Sequence, residues 1–191
     1  PGKIIFTRSD VNNDNSATGL YITTSPTIQP VLITGTDTNM GGEYYWKQVQ
    51  YFEGTAYPWV AVGKRVEPGS GRAYPVITYS ADTVTWAWWD PDQTVTSAYA
   101  DQGSDLEFTD IAYGEGYYLI SAIGSTIPGG LWVINGPLNS GSSLAMSNQL
   151  ADVIDNFKTV EYFGTGGESW SRWAGFNTSA GLWNSFNADP T

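Results

Sequence analysis

One strand pattern returns three times along the chain, and it restricts the possible folds more than any other feature. The first copy runs from Trp46 through Val49 and Tyr51 to Gly54, then resumes at Trp59 and ends at Gly63. The second runs from Phe108 through Ile111 and Tyr113 to Gly116, then from Tyr118 to Gly124. The third runs from Phe157 through Val160 and Tyr162 to Gly164, then from Trp170 through Trp173 to Gly175. Each copy is an aromatic start, an alternating strand, a glycine-centred turn and a second strand closing on glycine. Trp46 and Phe108 are 62 positions apart, and Phe108 and Phe157 are 49 apart. Loops of unequal length between constant strands account for the difference.

A second element recurs with the first. Gly19-Leu20-Tyr21, Gly130-Leu131-Trp132 and Gly181-Leu182-Trp183 open three similar strands, and Tyr74 to Tyr79 fills the gap in the series. An antiparallel unit of this length, repeated in tandem, predicts an all-β fold of β-propeller-like blades. About four blades are expected, roughly 1–42, 43–100, 101–150 and 151–191, in a single domain. The first and last are incomplete: Lys3 to Arg8 resembles the second strand of a blade, and the chain stops soon after Trp183. Either the two ends share a blade, which removes edge strands, or further chain or another subunit completes them. The segment Lys64–Ala73, with Glu67-Pro68-Gly69-Ser70-Gly71, is expected to be a loop insert. Leu150, Val153, Ile154 and Phe157 follow a helical spacing behind Ser147, which predicts one short helix.

Composition excludes several kinds of chemistry. The chain has no Cys and no His, so thiol catalysis, disulfides and histidine general bases are ruled out. Its net charge is −11, with eight basic residues scattered along the chain, only Lys64 and Arg65 being adjacent. That argues against nucleic acid as a partner, since phosphate contacts need a basic stripe. No apolar run is long enough to cross a membrane as a helix, and the residues from Pro1 onward are not expected to act as a signal peptide.

Ser80-Ala81-Asp82-Thr83-Val84-Thr85-Trp86 follows the strand ending at Tyr79. It resembles the Asp-box of sialidase-type propeller repeats, with Thr83 where that motif usually has glycine. The resemblance implies a structural turn: Ser80 and Asp82 bond backbone N–H groups and Trp86 packs beneath. Thr24-Ser25-Pro26 and Asn135-Gly136-Pro137 stand in the corresponding places. With the paired strands, the chain resembles the degenerate propeller repeats of bacteriophage virion proteins and bacterial surface proteins, best over Trp46 to Gly136. That resemblance implies a non-enzymatic structural or binding component of a tail, fibre or capsid decoration. It also implies other virion proteins as partners, a multi-copy assembly and location in the virion. Sialidase chemistry itself is not matched: only Arg8, Arg65, Arg72 and Arg172 are present, none in the expected context.

Two other constellations stand out. Trp88, Trp89, Asp90 and Asp92 could line a sugar subsite, which makes a carbohydrate-binding, receptor-recognising domain the alternative function. Exposed rings there would favour it, with a host surface glycan as partner. A glycoside hydrolase is a third reading; it needs two carboxylates facing each other across a cleft. Asp10, Asn12, Asp14 and Ser16 place oxygen ligands at alternate positions, as in a calcium loop. Asn15 replaces the usual glycine there, and no carboxylate closes the loop. The alternative is an Asn/Asp-rich turn without metal. Any calcium would be structural, and no other cofactor is implied.

Overall fold

The computed structural model describes residues 2–8, 19–29, 31–33, 43–66, 69–71, 73–89, 106–124, 129–138, 144–146, 156–163, 173–177 and 183–186. Among them every regular element is a β-strand, and every pairing is antiparallel. The first sheet holds β1 (Ile4–Arg8), β2 (Gly19–Thr23) and β3 (Val31–Ile33). The second holds β4 (Glu43–Tyr51), β5 (Trp59–Val66), β6 (Ala73–Ser80) and β7 (Ala87–Trp89). The third holds β8 (Glu107–Gly114), β9 (Tyr117–Ile123), β10 (Leu131–Asn135) and β11 (Leu144–Met146). The fourth holds β12 (Phe157–Tyr162), β13 (Trp173–Asn177) and β14 (Trp183–Phe186). Each sheet is a meander, its strands paired in chain order.

The sheets pack in succession. Strand β4 lies against β1 and β2, β8 against β4, β5 and β6, and β12 against β8 and β9. Three apolar cores fill the junctions. Ile5 and Leu20 meet Trp46, Ala61, Val76 and Trp86 at the first. Val60, Val62 and Ile77 meet Phe108, Ile111, Ile120 and Ile134 at the second. Ala112, Leu119 and Leu131 meet Phe157, Val160 and Trp173 at the third. Because side chains alternate along a strand, Val60 and Val62 serve one junction and Ala61 the other. The two middle sheets are therefore covered on both faces, and β9 and β10 read as nearly continuous buried runs. Antiparallel sheets with one wet face show a polar alternation instead.

The sequence repeat becomes a repeated local geometry. The aromatic starts Trp46, Phe108 and Phe157 are all buried. Directly after each, the first strand carries a β-bulge that leaves Lys47, Thr109 and Lys158 out of the ladder. At the far end of each strand, Tyr51 faces Trp59, Tyr113 faces Tyr118, and Tyr162 faces Trp173 as direct cross-strand partners. Their ring centroids are 4.8, 4.6 and 4.7 Å apart. Aromatic pairs in that position fix the register of a hairpin. In the tightest hairpin, Glu115 and Gly116 both have positive φ (53° and 87°), the conformation of a two-residue turn that matches strand twist.

One expectation is corrected. Lys64, Arg65 and Val66 pair with Pro75, Tyr74 and Ala73, so both ends of the expected insert belong to an elongated β5–β6 hairpin. In the second strand of the third copy Trp173 is the partner of Tyr162, and Trp170 lies outside the described residues. Of the predicted helix, Phe157 is strand, and Ser147, Leu150, Val153 and Ile154 lie outside the described residues. No strand of the first sheet pairs with one of the fourth among the described residues.

Candidate functional site

The turn after β6 is built around two side chains. Ser80 is buried, and its Oγ donates to the Thr85 carbonyl at 2.7 Å while accepting from the Thr83 N–H at 2.8 Å. Oδ1 of Asp82 accepts from the N–H groups of Val84 and Thr85, both at 2.8 Å. Those two bonds, Thr85 first, hold the exposed carboxyl below the usual range. The Trp86 ring sits in the first junction's core, its Nε1 donating to the Thr83 carbonyl at 3.3 Å. Thr83 has φ 70°, a costly conformation for a β-branched residue. Its side chain explains why the position is not left to glycine: Lys3 Nζ donates to Thr83 Oγ1 at 2.6 Å and to the Asp82 carbonyl at 3.0 Å. The turn thus ties the second sheet to the start of the first.

The same wiring recurs after β2. Thr23 Oγ1 lies 3.2 Å from the carbonyl of Ile28, five residues on, the spacing of Ser80 to Thr85. Ser25 Oγ accepts from the Thr27 N–H at 3.3 Å, as Asp82 does from Val84. Hydroxyls replace the carboxylate, which hides the kinship in the sequence.

Charged and polar side chains cross the later junctions at the bulges. Glu107, nearly buried, accepts from Lys47 Nζ and Lys64 Nζ, each at 2.9 Å. Thr109 Oγ1 donates within the set Ser121 and Phe157, reaching the Phe157 carbonyl at 3.0 Å. Asp110 accepts from the Val160 N–H at 3.2 Å and from the Ile111 N–H at 2.9 Å, and it bonds the Gln50 side chain. It therefore touches three successive sheets. Burial pushes its carboxyl above the usual range, against the pull of the Val160 and Ile111 N–H bonds. Asn156 adds a further tie, its Oδ1 accepting from the N–H groups of Gly124 (2.7 Å) and Gly129 (2.8 Å).

Trp88 is half-buried. It packs against the first junction's core, with its ring 4.7 Å from Tyr44 and 5.4 Å from Trp46. Of Trp89 only the backbone, in β7, is described. Asp90, Asp92, Asp10, Asn12, Asp14 and Ser16 lie outside the described residues. Among the described residues no three acidic side chains cluster as a metal site would require, and no helix is long and apolar enough to cross a membrane.

A cleft of about 210 Å³ opens where the turn ends of the second and third sheets meet. Thr55 and Tyr57 line it from one side, and Tyr113, Gly116, Tyr118 and Leu138 from the other. The Tyr118 hydroxyl bonds Thr55, whose own hydroxyl donates to the Phe52 carbonyl at 3.0 Å. The Gly136 N–H donates to the Gly116 carbonyl at 3.0 Å and fixes the third wall. Sequence reasoning did not single out this place; the signal available was the tyrosines recurring beside the glycine turns. Among the described residues no charged side chain lines the cleft. No family model, no curated protein and no solved structure matches the chain.

Proposed function

We propose that the chain is a non-enzymatic structural and binding component of a multi-copy assembly, built as successive propeller-type blades. A bacteriophage virion, in a tail, fibre or capsid decoration, is the setting its sequence resemblance favours. One observation carries the assembly reading. At the second junction the bulge residue Lys47 reaches Glu107 on the next sheet, and at the third Thr109 reaches the carbonyl of Phe157. The third bulge residue, Lys158, is exposed and makes no such bond among the described residues. Among the described residues no sheet follows the fourth to use this device, and a sheet from another copy is the partner proposed for it.

The test is cross-linking of a mixture of isotopically light and heavy chains with a lysine-reactive reagent. Lys158 is expected in links that join light to heavy chains. Links confined to single chains would refute the reading. The hydrolase reading is not favoured, because the described cleft has no carboxylate in its lining to act as acid or nucleophile.

A further inference from the structure

We infer that the cleft between the second and third sheets is a binding site for a single neutral sugar ring. Its volume, about 210 Å³, lies below the ~300–1,000 Å³ typical of clefts for drug-sized ligands, and suits one pyranose. Its lining combines aromatic rings (Tyr57, Tyr113, Tyr118) with hydroxyls and the backbone of three glycine turns. Rings accept the C–H face of a sugar, while the Tyr57 and Tyr113 hydroxyls meet its O–H edge; a lipid chain would bury those hydroxyls without offering a bond.

The charge pattern narrows the class further. Among the described residues no lysine or arginine lines the cleft to hold a carboxylate or phosphate. Glu53 and Glu115, both exposed, adjoin the lining residues Gly54 and Gly116 in sequence. Acidic sugars and phosphates therefore meet like charge at the mouth, in a chain whose net charge is already −11.

The walls are held in place before any ligand arrives. Tyr113 is fixed by Tyr118 at 4.6 Å and by Phe52 at 5.8 Å, and Tyr57 by Tyr79 at 4.8 Å. Rings held this way lose little freedom on binding. One sugar ring gives weak affinity, in the ~mM range. Several copies in one assembly would multiply it by avidity.

The experiment is ligand-observed saturation-transfer NMR on the full chain. The probes are methyl glycosides of glucose, galactose, mannose and N-acetylglucosamine, with glucuronic and sialic acid for comparison. At least one neutral glycoside is expected to bind, and the acidic sugars more weakly than it. Ala56 lines the cleft and is exposed, so Ala56→Trp fills the space without touching a core; it should weaken binding at least tenfold. Tyr113→Ala should do the same, with thermal unfolding as the check on its fold. Absence of binding by every neutral glycoside would overturn the proposal. So would unchanged binding in Ala56→Trp, or tighter binding of an acidic sugar. Chain mass is measured separately, so loss of sugar binding and loss of assembly are distinguishable.

Discussion

Asp82 and Asp110 are both turn or bulge carboxylates, yet their surroundings drive them in opposite directions. Asp82 is held low by the Thr85 and Val84 N–H groups, and Asp110 is raised by burial. The consequences for stability have opposite signs. Asp82 contributes stability that is fully present above its unfolded value of 3.8. That contribution is lost as pH falls through its lowered folded value. Asp110 in its charged form costs stability above its raised folded value, and this cost fades as pH falls from there toward 3.8. Carboxyl-carbon NMR titration should place Asp82 below 3.8 and Asp110 above it. In Asp110→Asn the rise in stability on mild acidification should disappear, as read by denaturant unfolding at several pH values. Ser80 tests the same turn by another route. Its buried hydroxyl serves both Thr85 and Thr83, so Ser80→Ala should cost about 1–3 kcal/mol for groups left unpaired. Loss below ~0.5 kcal/mol, within the range of ordinary surface changes, would contradict that role.

The element that organises the fold is the first strand of each repeat: buried aromatic, bulged residue, alternating run, aromatic pair. Gly63 shows how closely the bulge is fitted. It pairs with Trp46, and a Cβ added there would overlap the carbonyl oxygen of Tyr45. Gly63→Ala should therefore destabilise by roughly 1–3 kcal/mol through a forced backbone shift, measured by thermal or denaturant unfolding. Glu107→Ala should cost a similar ~1–3 kcal/mol, because a nearly buried acceptor of two lysines is removed while both lysines can turn to water. Much of this element was legible in the sequence. The starts at Trp46, Phe108 and Phe157, the strands beyond them and the glycine turns follow from alternation and turn chemistry. The bulges were not legible, because an extra residue in a strand leaves no signature unless its partner strand is known. The Lys64–Ala73 segment misled for a related reason. Its Pro-Gly-Ser-Gly core marks a turn, but strand length on either side is set by pairing across the hairpin. The Ser80–Trp86 turn was legible because its bonds are local, whereas its copy at Thr23 and Ser25 uses hydroxyls, which any loop might contain.

At the scale of the whole molecule, the described residues form four sheets stacked in chain order, and the two in the middle are covered on both faces. Among these residues, three junctions of similar make hold the sheets together. All-β character and the antiparallel repeat were readable from composition and period. The cleft was not, because it forms only where turns from two sheets meet, and no local pattern reports which turns become neighbours. The packing of Trp88 was hidden on the same ground: the sequence shows an aromatic beside acids, and only the strand neighbours bring it against Tyr44 and Trp46 at a junction. The stacking device at Lys158 carries the functional reading, and it makes a direct demand on the molecule in solution. Sedimentation-velocity mass of the purified chain, with Lys158→Glu beside it, is the most direct measurement. Species at multiples of 20.8 kDa are expected for the native chain, shifting toward the single chain in Lys158→Glu. A native chain that remains at 20.8 kDa across the accessible concentration range would contradict the account.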